Sequence, residues 1–175
     1  MVTGGMANAG QLDDAWVSAR GGAVWIELPS TRLRSAAERG DTREVMRLLG
    51  EGEDADARSR SGQSALHIAC CHGHARVAKA LIDRGADIAA KDTGGATPLH
   101  WACRFGRTAT ALALIDRGAD IAAKDHDGAT PLHSACSNGH TATALALIDR
   151  GADIAPKACY RWTPLQEACS NGPTP

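Results

Sequence analysis

Aromatic residues are scarce in this chain: one Phe, one Tyr and four Trp among 175 residues, in a sequence that is 43% hydrophobic. A domain of this length usually draws much of its buried area from rings. Here Ala, Leu and Ile must fill the core, which suits thin helical layers better than a thick centre. An excess of either charge is missing too. Nineteen Lys and Arg stand against twenty Asp and Glu, interspersed, for a net charge of -1. That leaves no electrostatic footprint for nucleic acid or an anionic membrane. No apolar run approaches the length of a membrane span.

The first 30 residues hold no sustained apolar run and one Arg against three acids, which argues against a secretory signal peptide and a mitochondrial presequence. Residues 1–30 read as a mostly unstructured leader, with Ala23-Val24-Trp25-Ile26-Glu27-Leu28 as its candidate for a short extended piece. Six cysteines without a secretory signal imply reduced thiols and a cytoplasmic setting, with the nucleus open as well.

What the chain does have is a period of 33 residues. Thr97-Pro98-Leu99-His100-Trp101-Ala102-Cys103 returns as Thr130-Pro131-Leu132-His133-Ser134-Ala135-Cys136, and Ala111 to Ile121 returns as Ala144 to Ile154. Weaker copies keep the register. Ser64-Ala65-Leu66-His67 precedes them, Ser35 to Gly52 holds the glycines and leucines of a divergent first unit, and Trp162-Thr163-Pro164-Leu165 opens a last one. The units are 31–58, 59–91, 92–124, 125–157 and a partial 158–175. A period in this range marks a solenoid, in which each unit is too small to bury its own apolar face and is stabilised by its neighbours.

Each unit should hold two helices and a turn. Thr97 can cap the first free N–H groups, and Pro98 sits where its missing N–H costs nothing. Gly106 ends that helix after two turns by taking a positive φ. A second helix then runs from near Thr108 to the glycine stop at Gly118. In the last unit no second helix follows Pro164 to Ser170, so Leu147 and Ile148 before it should be partly uncovered.

These residues resemble the ankyrin repeat family across roughly 31–175, since the TPLHxA signature, the glycines and the Gly-Ala-Asp stretch recur in phase. The resemblance implies an all-α solenoid of stacked helix-turn-helix repeats with projecting β-turns or hairpins. One departure recurs: Ala89, Ala122 and Ala155 stand where the family commonly has Asn, so that amide's loop hydrogen bonds should be missing.

Cys70-Cys71-His72-Gly73-His74 looks like a metal cluster when taken alone. In register, however, Cys70, Cys103, Cys136 and Cys169 fall one per layer, where a small buried residue suits the fold, whereas zinc needs convergent ligands. Cys71 and Cys159 fall outside that series and should be more exposed. His67, His100 and His133 form a second ladder with no nucleophile or orienting acid spaced to meet them, so their role is structural. No phosphate loop, HExxH or cleft carboxylate pair appears, and no cofactor or metal is implied.

The resemblance implies that a protein partner binds the concave surface of turns and first helices. Carried over by position, the turn sites are Arg60, Ser61, Gln63, Thr93, Gly94, Ala96, His126, Asp127, Ala129, Tyr160 and Trp162. The helix sites are Cys71, His72, Arg104, Phe105, Ser137 and Asn138. Arg104 and Phe105 stand out, because Arg and aromatics dominate binding hot spots; the alternative for Phe105 is that it folds back on its own repeat. On the outer face, the second helices of two units carry Leu112 and Leu145 where the preceding unit has Lys79. Either these form an exposed apolar stripe, or the helix rolls to bury them and turns Thr110 and Thr143 outward. The expected function is a non-catalytic, monomeric protein-interaction scaffold with no nucleic-acid or membrane partner. The alternative is a regulatory array within a larger enzyme or channel, suggested by the missing closing helix.

Overall fold

The computed structural model describes residues 17–18, 25–26, 29–155, 158, 163–164 and 166. Tyr160, Trp162, Cys159 and Cys169 lie outside them. Near the N-terminus, β1 (Val17–Ser18) and β2 (Trp25–Ile26) pair antiparallel, with Val17 opposite Ile26. Among the described residues eight helices follow: α1 (Pro29–Arg39), α2 (Thr42–Gly50), α3 (Ala65–His72), α4 (Ala75–Asp83), α5 (Pro98–Arg104), α6 (Thr108–Ile115), α7 (Pro131–Ser137) and α8 (Thr141–Asp149). Beyond them, Pro164 and Gln166 are helical.

The helices pack in two rows. α1, α3, α5 and α7 stack in sequence as a first row, α2, α4, α6 and α8 as a second, and each odd helix also packs on the even helix that follows it. The core repeats accordingly. Leu66, Leu99 and Leu132 fill the first row, Leu48, Leu81, Leu114 and Leu147 the second, and Ala36, Ala69, Ala102 and Ala135 let the first-row helices approach closely, all of them buried. Each buried Leu contributes about 1.5–3 kcal/mol, and all of them belong to one core that runs through the units. Such a stack is stabilised by its interfaces.

Leu147, expected to be partly uncovered, is buried because it belongs to this leucine row, while Ile148 beside it is 41% exposed. Cys70 and Cys103 are buried, but Cys136 is only half-buried, as is Cys71.

The first-row helices α3, α5 and α7 start on a capping box in which histidine stands where Glu is usual. In the central unit the backbone N–H of Thr97 donates to His100 Nδ1 at 3.2 Å, and the Thr97 hydroxyl lies 2.9 Å from the same nitrogen. Gly106, at φ 65°, then takes the left-handed conformation that ends the helix.

The roll of the second-row helices is settled by Thr110 and Thr143, each 1% exposed. They occupy the place of the buried Val77 one unit earlier, and so Leu112 is left half-buried and Leu145 56% exposed. Thr143 Oγ1 is 2.7 Å from the Thr108 hydroxyl of the preceding unit. Thr110 has no such partner, because the matching residue there is Ala75, and its buried hydroxyl makes no hydrogen bond.

Candidate partner-binding surface

The turns before the first-row helices form a continuous strip. Asp92 closes its turn with Oδ1, which accepts from the N–H groups of Gly94 and Ala96, both at 2.9 Å. Asp125 does the same for Asp127 and Ala129, at 3.0 and 2.8 Å. Asp and Asn favour such turns because their short side chains reach the backbone two residues on. Adjacent turns are then tied together: Thr93 N–H donates to Ser61 O at 3.1 Å, and His126 N–H to Gly94 O at 3.0 Å. This close approach requires Gly95, where a Cβ would lie 2.8 Å from the His126 nitrogen.

On the far side of each turn the Gly-Ala-Asp stretch makes its own loop. Asp87, Asp120 and Asp153 accept from the N–H groups of Ala89, Ala122 and Ala155 at 2.8–2.9 Å. The missing Asn is therefore offset in part by the preceding Asp.

The histidine ladder anchors the strip to the helices. His67 Nε2 meets Ala96 O at 3.2 Å and His100 Nε2 meets Ala129 O at 3.1 Å, in each case the turn of the next unit. A carbonyl can only accept, so Nε2 carries the proton and Nδ1 accepts from the cap. Both nitrogens are thereby committed to structure. Burial holds both rings below the ordinary histidine pKa, against the opposing pull of the turn carbonyls, and keeps them neutral. His133 repeats the Nδ1 arrangement, with Thr130 N–H at 3.1 Å.

A second ladder lies 36 residues apart and was not apparent from the sequence. His74 Nε2 donates to Glu38 O at 2.9 Å, Arg107 Nε to Cys71 O at 2.9 Å, and His140 Nε2 to Arg104 O at 3.0 Å. Each latch comes from the start of a second-row helix and satisfies a carbonyl left open at a first-row C-terminus. The glycine ending that helix leaves room for it.

The first-row residues beside the turns hold the most distinctive side chains. Trp101 on α5 and Phe105, the residue that caps its C-terminus one turn further on, stack with centroids 5.8 Å apart and planes at 26°. Trp101 also meets the His67 ring edge-on at 6.4 Å, and its indole N–H donates to Asp92 Oδ2 at 2.9 Å. Phe105 is 39% exposed, so it leans on its own repeat and still offers a free ring surface. Trp101, half-buried, was missed in the sequence reading. Its register, four before Phe105 and one period after Ile68, was the available signal.

The other expected sites scatter around this pair. Arg60, Thr93, His126 and Asp127 are exposed along the turn strip and Gln63 is half-buried there. His72 is exposed on α3, its ring stacked on His74 at 6.0 Å. Arg104 is exposed beside Phe105 and makes no ion pair among the described residues. Asn138 is exposed but turned onto its own helix, its amide donating to Ser134 O at 2.8 Å.

The thiols of Cys70 and Cys103 are poor nucleophiles. Burial pushes Cys103 up to about 12 and Cys70 further still; burial also raises Cys71, though Arg107 and Arg104 pull the other way. Only the thiolate reacts or binds metal. Among the described residues no three His, Cys, Asp or Glu side chains converge as a ligand set, and no helix is long and apolar enough to cross a membrane.

A family model described as ankyrin repeats (3 copies) matches residues 33–125 and 119–174. No curated protein matches the chain.

Proposed function

This chain belongs to the ankyrin repeat family, and from that premise we propose that it is a non-catalytic scaffold holding a protein partner on its concave surface of turns and first-row helices. Ankyrin repeats are generally protein-interaction modules. The observation that carries the choice of surface is the stacked Trp101–Phe105 pair, with Arg104 exposed next to it. Aromatic and Arg side chains supply most hot-spot energy, and here they sit on a support already fixed by the turn strip and the histidine ladder, so little ordering is needed on binding. A non-catalytic reading is supported by His67 and His100, whose ring nitrogens are both occupied, and by the buried thiols of Cys70 and Cys103, held protonated. Six cysteines in a sequence without a secretory-type apolar run favour a reducing compartment, the cytoplasm or the nucleus, and we propose that the scaffold acts there as a monomer.

The test is an affinity capture with the full chain as bait, repeated with Phe105→Ala and, on the outer face, Leu145→Lys. Captured proteins should be lost with Phe105→Ala and retained with Leu145→Lys. The opposite pattern would move the binding site to the second-row face and overturn this assignment.

A further inference from the structure

The aromatic pair is one unit wide. At the same two places the preceding unit carries Ile68 and His72 and the following one Ser134 and Asn138, and Asn138 is engaged with its own helix. An amphipathic helix docking along the surface would want several apolar anchors in line. This surface provides one. The indole N–H of Trp101 is already spent on Asp92, so Trp101 and Phe105 present ring surface alone, fit for a single bulky apolar side chain.

Charge around that pair is uneven. Arg104 and Arg107 are exposed on either side of Phe105-Gly106, and Arg60 is exposed on the turn of the preceding unit. Arg107 spends only Nε on its latch to Cys71 O. The nearest turn acid, Asp92, has Oδ1 occupied by two backbone N–H groups and Oδ2 by the indole. Outside this unit the exposed charges of the face are mixed, Arg60 against Glu38 and Asp127, whereas within it those beside Phe105 are Arg104 and Arg107. The Phe105 ring is thus flanked by two cations at its own helix end, while Asp92 keeps its negative charge on the turn side of Trp101.

Resting on the concave-surface reading above, we infer that the partner contributes an extended acidic segment, with one bulky apolar residue on the Trp101–Phe105 rings and flanking carboxylates on Arg104 and Arg107. A guanidinium pairs with a carboxylate through two parallel N–H···O bonds. Like charge in the segment would be rejected at the same spot.

The probe is a phage-displayed library of random dodecapeptides selected on the full chain. The peptide most enriched is then synthesised, labelled and titrated by fluorescence anisotropy against the parent, Phe105→Ala and Arg104→Glu, each checked for parental helicity. Enriched peptides should carry a bulky apolar residue with Asp or Glu within a few positions. Affinity should fall at least about tenfold in either variant, and the parent's affinity should weaken with added salt. Peptides that need Phe105 but carry no acid, and bind Arg104→Glu as well as the parent, would overturn this inference and leave the concave site standing. Peptides indifferent to both residues, or no enrichment at all, would count against both.

Discussion

Replacing Gly106 by Ala should cost much more than the same change at Gly139, although both end a first-row helix in nearly the same conformation, at φ 65° and 71°. Placing a Cβ in the left-handed region costs about 1 kcal/mol at either site. At Gly106 the new Cβ would lie 2.6 Å from His140 Nδ1 and 2.8 Å from its Cγ, so the ring has to leave. That ring donates to Arg104 O at 3.0 Å, and losing the bond adds about 1 kcal/mol, with the repacking of the ring on top. At Gly139 no described atom lies within 4 Å. Expected losses are therefore roughly 2–3 kcal/mol at Gly106 and about 1 kcal/mol at Gly139. Urea denaturation followed by circular dichroism gives both as midpoint shifts at constant slope. Gly40 should behave like Gly106, since its Cβ would lie 2.7 Å from the His74 ring. Gly73 should fall between, because its obstacle is the flexible Arg107 chain at 2.8 Å. Equal losses at Gly106 and Gly139 would refute the latch.

Three further outcomes follow from the same contacts. Thr110→Val should stabilise by about 1 kcal/mol, because it removes a buried hydroxyl without a partner while keeping its shape, and Ala75→Thr should do likewise by supplying the partner that Thr108 gives Thr143; a destabilised Thr110→Val would show that the hydroxyl is satisfied. His67 and His100 are held below the ordinary value of 6.5 by burial, so the unfolded chain takes up their protons first; stability is complete above that value and declines as pH falls below it, by up to about 1.4 kcal/mol per pH unit for each ring. Urea midpoints unchanged between neutral pH and pH 5 would contradict the neutral ladder. In thiol labelling at pH 8, Cys71 should react in the native state while Cys70 and Cys103, raised by burial, should react only on unfolding; rapid native labelling of Cys103, identified by mass spectrometry, would refute its burial.

The helix starts and stops were legible because they depend on local chemistry: Thr-Pro before Leu99, and glycines at Gly106 and Gly118 whose backbones adopt φ 65° and 91°. The row of buried leucines was hidden in part, since Leu147 and Ile148 are adjacent and nothing in the sequence says which of them enters the core. Helix roll was equally undecided for α6 and α8. Their apolar residues surround the helix, and only packing decides that Thr110 and Thr143 go inward and Leu145 outward. The latch was invisible for another reason. Its members are His74, Arg107 and His140, joined by a shared donor function across units and not by identity. At the candidate site, Phe105 and Arg104 were found by residue type and register. Trp101 was passed over because its neighbours in register, Ile68 and Ser134, suggested no common role, and its tie to Asp92 depends on how the turn folds over α5.

If partners engage the face carrying Trp101 and Phe105, a photo-crosslinker set into that face should capture them. A benzoyl-phenylalanine placed at position 105 replaces one exposed ring by another, and the same probe at position 145 samples the exposed leucine of the second-row face. Irradiation in cell extract should give discrete covalent adducts to a protein partner from position 105 and none from position 145. Adducts from position 145 with none from position 105 would contradict the account.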